Sequence, residues 1–481
     1  MLPQTAAVGS FNVLLRSLMP SAVFRIFGYR GISMKKFQWL PSLLAVLMAA
    51  AGTAVLAAQE DEDGFVSLFN GKDLTGWVQK GGDAFYKVED GMIIGECNPE
   101  AKSNSFMCTE KEFGNFIFKC EYKVLVPGNS GIQFRSHSEG DGPRPHVFGY
   151  QCEIAPSEGT SDTCRIYDEG RRGHKNGIVW LNDVDPEKRA AADASYKPDD
   201  WNTIEIQCVG PSIRTWLNGN EVTNTFDYMD MSGFFGLQIH AGNQGKICWR
   251  NIRVKDLGTS EWKSFFVKNN DGQWELVDAY EYVPSCWSFT EKDGHECLWG
   301  HHTRNEQRDG LVVSCHNYDN FVAKVDYMIN GGNSALYFRA EEVKTPWLLR
   351  GYQNEIAGNA AEAHIWHTSG TPSDPPGRGW IAEGTPEEQK AKNVSVVLNR
   401  DKEFTEQIRN DLGWNVLATV ALDDHLITFL NGYKIVEMYD PAGERTGKLG
   451  LQLHGGADVD MWFYDFKVIE ITPEMKALIE R

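Results

Sequence analysis

The chain is 481 residues long with 42% hydrophobic and 23% charged residues, which excludes a disordered polymer and leaves room for roughly two to four domains. Its 66 acidic against 47 basic residues give a net charge of −19, which excludes a nucleic-acid partner held by phosphate neutralisation. Glycine at 47 residues, with 15 Trp, 16 Tyr and 25 Phe, fits a turn-rich β-protein better than a helical bundle.

From Met34 the chain reads MKKFQWLPSLLAVLMAAAGTAVLAAQE: a basic start, an apolar stretch and small residues suited to cleavage near Ala57 or Ala58. Residues 1–58 are therefore expected to be an N-terminal extension and an export signal, placing the mature protein in the periplasm or outside the cell with no stable membrane span. An N-terminal anchor is the competing reading, because the run from Leu40 to Ala58 approaches the ~18 apolar residues a spanning helix needs. All ten cysteines lie beyond this segment, seven in the first half and three in the second, and some are expected to be paired in an oxidising compartment. No Cys/His spacing points to zinc.

An internal repeat of about 200 residues follows, the size of one large β-sandwich. Gly128-Asn-Ser-Gly-Ile-Gln-Phe-Arg135 recurs as Gly332-Asn-Ser-Ala-Leu-Tyr-Phe-Arg339, and Gly149-Tyr-Gln-Cys-Glu-Ile-Ala155 as Gly351-Tyr-Gln-Asn-Glu-Ile-Ala357. Trp201-Asn202 then matches Trp414-Asn415, Trp216-Leu-Asn-Gly219 matches Phe429-Leu-Asn-Gly432, and Leu237-Gln-Ile-His240 matches Leu451-Gln-Leu-His454. The spacing between blocks widens in the second copy, which puts a net insertion in the Pro/Gly-rich stretch 368–393. The alternation in TIEIQCV, with Ile204, Ile206 and Cys208 on one side, predicts a half-buried strand. Asn218-Gly219 and Asn431-Gly432 predict two-residue hairpins, since both turn positions need positive φ. The expected organisation is a first sandwich over 63–257, a boundary near Gly258-Thr-Ser260, a second sandwich over 262–471, and a short helix over 472–481 opened by Thr472-Pro473. Each half is expected to fold alone.

On a strand, residues i and i+2 share a face. Ile132 and Phe134 then enter the core while Gln133 and Arg135 point away from it; Gln151 and Glu153 oppose Tyr150, Cys152 and Ile154; Gln238 and His240 oppose Leu237 and Ile239. If these strands share a sheet, one concave face gathers an arginine, a glutamate, a histidine and several amides, with Tyr337, Arg339, Gln353, Glu355, Gln452 and His454 as the second-copy counterparts. Any antiparallel sheet with a wet side shows such alternation. The recurrence of the same residue types on three strands, amid diverged sequence, favours a site. His137, His146, Asp162 and Asp168, with His364 and His367 of the second copy, are weaker loop candidates that a divalent metal could use. Trp180, Trp201, Trp366 and Trp414 are candidates for stacking on sugar rings, with core packing as the alternative.

At these residues the chain resembles the 3-keto-disaccharide hydrolase domain family. FVSLFNGKDLTGWV, EDGMIIGE, NSGIQFR, GYQCEI, the WN pair, WLNG and GLQIHAGNQGKICWRNIRVKDL carry the resemblance; the second copy lacks a clean LFNGKDLTGW opening. The resemblance implies an all-β fold of two tandem concanavalin A-like jelly-roll β-sandwiches, a carbohydrate substrate oxidised to a ketone at C3, and a sugar-3-oxidising dehydrogenase acting upstream. The paired-carboxylate strand of laminarinase-type glycosidases is absent, so the two-acid mechanism lacks its parts. A keto route suits the residues present: a base removes the C2 proton, the enolate expels the C1 substituent, and water adds back. Glu153 or His240 is the expected base, Arg135 and Gln133 the enolate stabilisers, and Gln151, Gln238 and Asn129 hydroxyl-binding groups, with a divalent metal as a further aid to Arg135. The competing readings are a non-catalytic pair of carbohydrate-binding modules and a structural surface protein. Because Gln133 becomes Tyr337 and Gly131 becomes Ala335, the second cup is expected to be narrower and the first to dominate catalysis.

Overall fold

A computed structural model describes residues 63–481 apart from 156–161, 183, 243, 284–285, 360 and 371–373; the expected extension and export signal lie outside the described residues. Each half is a sandwich of two antiparallel sheets. In the first, one sheet runs Asn220–Phe226, Ser212–Leu217, Asn202–Val209, Phe116–Val126, Lys246–Asp256, Met92–Glu96, Phe85–Glu89, with Val66–Ser67 paired onto Lys246–Asp256. The facing sheet runs Trp77–Gly81, Ser105–Phe113, Gly233–Ile239, Ser130–Glu139, His146–Ile154, Ile166–Glu169. The second half repeats this plan. Its nine-stranded sheet is centred on Val459–Glu470 and Phe321–Gly331, and its seven-stranded sheet runs Ala279–Tyr282, Gly310–Ser314, Lys448–Leu453, Ser334–Glu342, Leu349–Ile356, Ile365–Thr368, Gly379–Trp380. The chain is thus all-β, two tandem concanavalin A-like jelly-roll sandwiches.

The period-two pattern is what the sheets bury. Ile204, Ile206 and Cys208 are wholly inside, and Phe235 packs among Phe113, Phe116 and Phe118 with ring centroids 4.6 to 5.1 Å apart. Asn218 and Gly219 have φ of 50° and 83°, as do Asn431 and Gly432, the conformation a two-residue hairpin requires. Each asparagine also ties its turn down, Asn218 Nδ2 donating to Ser195 O and Asn431 Nδ2 to Ile408 O at 2.8 and 2.9 Å. The added elements of the second copy fall partly beyond 368–393: a helix at Pro386–Ala391 is followed by a strand at Ser395–Asn399 that extends the nine-stranded sheet beside Tyr433–Tyr439.

Two sequence expectations are corrected. None of the ten cysteines is joined in a disulfide and nine are buried; Cys120, Cys152, Cys164 and Cys208 take inward positions, where a small apolar side chain packs beside Ile and Phe of the first core. The halves are also not independent, since Val209, Phe226, Tyr228 and Met231 of the first share one apolar cluster with Val420, Ile427, Phe429 and Ile471 of the second. The terminal helix Pro473–Ile479, capped by Thr472, lies on the first sandwich: Gln207 Nε2 donates to Leu478 O at 2.8 Å and Arg214 Nη1 to Ile479 O at 3.3 Å. The second copy's Asn431-Gly432 hairpin reaches across as well. Arg172, buried between Asp168 and Asp227, donates to Gly432 O, and Asn176 Nδ2 donates to Tyr433 OH at 3.1 Å. Among the described residues, no helix is long and apolar enough to cross a membrane.

Candidate functional site

In the first sandwich the strands Ser130–Glu139, His146–Ile154 and Gly233–Ile239 lie together with Ile166–Glu169 at the edge, and a cavity of about 270 Å³ opens over them. Asn129, Gln151, Glu153, Gln238 and His240 line it, joined by Asn104, Tyr167, Glu169, His174 and Trp180. Glu153 is at the centre of a polar chain. Ser136 Oγ donates to Gln133 Oε1 at 2.6 Å, Gln133 Nε2 to Gln151 Oε1 at 2.8 Å, and Gln151 Nε2 to Glu153 Oε2 at 2.8 Å, while Asn129 Nδ2 donates to Glu153 Oε1. Both carboxylate oxygens therefore accept from amides, an arrangement that orients the anion. Gly131 makes this possible: a Cβ there would sit 2.5 Å from the Gln151 side chain. Burial pushes the Glu153 carboxyl up to about 7, the amide bonds opposing the rise and the charges of Glu169 and Asp162 adding to it.

His240 is exposed at the rim, and its Nδ1 lies 2.6 Å from Ala241 O; a carbonyl only accepts, so Nδ1 carries the proton and Nε2 is free to take or give one. Glu169, raised by burial and held by Asn104 Nδ2 at 3.1 Å, feels the charge of His240. Gln238 lies on the floor, wholly buried, with neither end of its amide partnered. Tyr167 and Trp180 form one wall, their rings edge to face at 6.1 Å.

Arg135 is elsewhere, contrary to the alternation. The strand bulges between Phe134 and His137, and Arg135 itself has φ of 45°, so its side chain leaves the face its neighbours define. Fully buried, it donates to Gly114 O and Gly210 O at 2.8 Å and to Asp230 O at 3.2 Å, fastening turns at one end of the sandwich. Arg339 repeats this, with φ of 46° and bonds to the carbonyls of Asp319, Asp423 and Glu444. The recurrence of arginine in both copies is thus a recurrence of architecture. Gln133 is likewise buried behind Gln151 and does not line the cavity. Of the loop candidates, Asp162 lines the cavity; Asp168 is engaged by Arg171 and Arg172, His137 by Asp230, and His367 by Glu444. His146 stacks on Phe148, and His364 is buried without a partner. Trp201 lies under Arg250 and Trp414 against Tyr464, both away from the cavity. Among the described residues no three His, Cys, Asp or Glu side chains are grouped to hold a metal ion.

The second sandwich carries a cavity at the equivalent place, lined by Asn333, Gln353, Glu355, Gln452 and His454 together with Asp309, Tyr337, Trp366, Thr368 and Trp380. It is larger, not narrower, at about 480 Å³. Ala335 stands where Gly131 does, so Gln353 cannot lean over it and donates instead to Gln452 Oε1 at 3.0 Å. Glu355 keeps a single amide donor, Asn333 at 3.3 Å, and burial pushes it up to about 7 as well.

Sequence reasoning missed Tyr167 and Glu169, although the alternation of Ile166–Glu169 sets them opposite Asp168, and it missed Asn104 and Asp309, which sit just before their strands. Residues 64–255 and 260–472 match the 3-keto-alpha-glucoside-1,2-lyase-like domain family. A 3-keto-disaccharide hydrolase of Bacteroides thetaiotaomicron is 25% identical over 252 residues, 44% of this chain and 84% of the relative. Among solved structures, a candidate glycosyl hydrolase of Parabacteroides distasonis is 22% identical with a TM-score of 0.27, covering 41% of this chain and 95% of its own. A Bacillus subtilis protein of unknown function with a galectin-like fold is 13% identical with a TM-score of 0.29, covering 38% and 89%. With both sandwiches matched, the chain belongs to the 3-keto-alpha-glucoside-1,2-lyase-like domain family.

Proposed function

We propose that the chain is an exported hydrolase of 3-keto-glycosides and that its first cavity carries the reaction. The observation that supports this most is Glu153, a buried carboxylate facing a cavity, held at both oxygens by amides and raised to about 7. A C3 ketone acidifies the C2 proton, so one base matched to neutral pH suffices. Glu153 takes the C2 proton; the C–H pair forms the C2–C3 double bond of the enolate, and the ketone oxygen gains the charge. Gln238, with a free amide on the floor, is the donor nearest in kind to an oxyanion stabiliser, a role Arg135 cannot fill from its place among turn carbonyls. Collapse of the enolate breaks the C1–O bond, and His240, which must enter this step protonated at both ring nitrogens, gives the departing oxygen its Nε2 proton while Nδ1–H stays on Ala241 O. Water then adds at C1 of the resulting enone, giving its proton to His240 Nε2, while Glu153 returns the proton to C2, so both groups are restored and the sum is hydrolysis. Such a substrate requires a dehydrogenase that oxidises C3 of the sugar.

The test is release of free aglycone from a 3-keto-glucoside by the mature chain, with and without a chelator. Release that Glu153→Gln lowers by about 100-fold or more supports the assignment. Full turnover in that variant, or no release by the wild type, overturns it.

A further inference from the structure

The two cavities are built on equivalent positions, so the exchanges between them can be read one at a time. Asn104 and Asp309 occupy the same place: Ala241 N donates to Asn104 Oδ1 at 3.0 Å, and Gly455 N to Asp309 Oδ1 at 2.7 Å. Glu169 pairs with Gly149 and Thr368 with Gly351, so the edge carboxylate of the first cavity is a threonine in the second. Tyr167 and Trp180 become Trp366 and Trp380, whose rings lie edge to face at 5.1 Å.

These exchanges move the second carboxylate from the edge strand to the floor. Asp309 accepts one bond on each oxygen, from Gly455 N and from Gln452 Nε2 at 2.7 Å, and a carboxylate oxygen has room for about two. It therefore offers unused acceptors and no donor. Glu355 has one donor where Glu153 has two. Loss of the long Glu169 side chain goes with a cavity of about 480 Å³ in place of about 270 Å³. A wider cavity with a carboxylate on its floor beside two indole rings suits a ligand that presents hydroxyl donors and an apolar ring face. A ketone carbon bears no donor, and each keto group removes one hydroxyl from the sugar.

We infer that the second cavity binds sugar at the alcohol level, an unoxidised glycoside, with Asp309 accepting from its hydroxyls and Trp366 and Trp380 covering its ring. The inference rests on the proposed function only in taking a sugar as the ligand. It gives the chain two sites of opposite preference: one for the ketone it cleaves, one for the alcohol from which that ketone is made.

The test is calorimetry of the full mature chain carrying Glu153→Gln with maltose and with cellobiose, and with the 3-keto form of each. Binding of at least one unoxidised disaccharide is expected, weakened about tenfold or more by Asp309→Asn and by Trp366→Ala. Thr368→Glu, which restores the first cavity's side chain, should block it and stands in should Asp309→Asn fail to fold. No binding of either sugar, binding that all three variants leave intact, or a 3-keto form held at the second cavity as tightly as its parent overturns the inference. Aglycone release by the wild type, followed in parallel, separates the two readings: its absence refutes the proposed function alone.

Discussion

Replacing Glu153 by glutamine should stabilise the protein at alkaline pH while it removes activity. Burial raises the carboxyl from 4.5 to about 7, so between those values the unfolded chain is ionised at this position and the folded chain is not. Unfolding then releases a proton, and stability falls as pH rises through that window. A shift of that size corresponds to about 3 kcal/mol of stability, fully present below pH ~4.5 and fully lost above pH ~8. Glutamine carries no charge to bury, so the difference between variant and wild type should grow with pH and then level off. Its absolute value is reduced because the amides of Gln151 and Asn129 lose an acceptor that satisfied both. Glu355, raised for the same reason, is common to both proteins and cancels. Denaturant unfolding of both proteins at pH 4.5, 6, 7 and 8.5 reads the slope directly. A stability difference that does not change with pH would show that Glu153 is ionised in the folded chain well below neutrality, and the argument for a base matched to pH 7 would fall with it.

In the wild type, kcat/KM on a 3-keto-glucoside should rise about tenfold per pH unit below 7 and flatten above, the profile of a base with its pKa near 7; a falling profile would make Glu153 the acid. Gly131→Ala should displace Gln151 from Glu153, lower turnover by about tenfold and move that profile to higher pH, because the carboxylate loses a donor; an unchanged profile would show that the amide does not tune it. Arg135→Met should cost about 3 kcal/mol or more by leaving three turn carbonyls unpartnered, with KM unchanged in whatever remains folded; intact stability with lost activity would return Arg135 to the site. Removing 473–481 should lower the melting temperature of the whole chain as one transition, since the helix covers the first sandwich; two separate transitions would show that the copies unfold independently.

Alternation carried the sequence reading a long way, because each strand has one face in a dry core and a side-chain period of two. It brought Gln151, Glu153, Gln238 and His240 to one surface from two separate strands. It failed at Arg135 and Arg339, where a bulge with positive φ breaks the phase; neither arginine is a residue type that announces such a conformation. Glu169 was legible by the same rule on a strand of only four residues, but Asp168 beside it drew attention as a loop acid and proved to be one half of a buried ion pair. The meaning of Gly131 was also hidden. Its missing Cβ serves a neighbouring glutamine rather than a ligand, a fact set by a cross-strand contact that no local pattern encodes.

The hairpin at Asn431-Gly432 has a consequence for how a duplicated gene keeps both its copies. Its tip holds Arg172 and Asn176, in the segment that leads from Glu169 to Trp180 and so walls the first cavity. A turn at the far end of one domain thus serves as scaffolding for its neighbour. Selection on the first pocket therefore acts on residues of the second domain, whatever that domain's own cavity does. The second copy is thereby needed by the first, and a chain that lost it would hold a pocket with one wall unsupported.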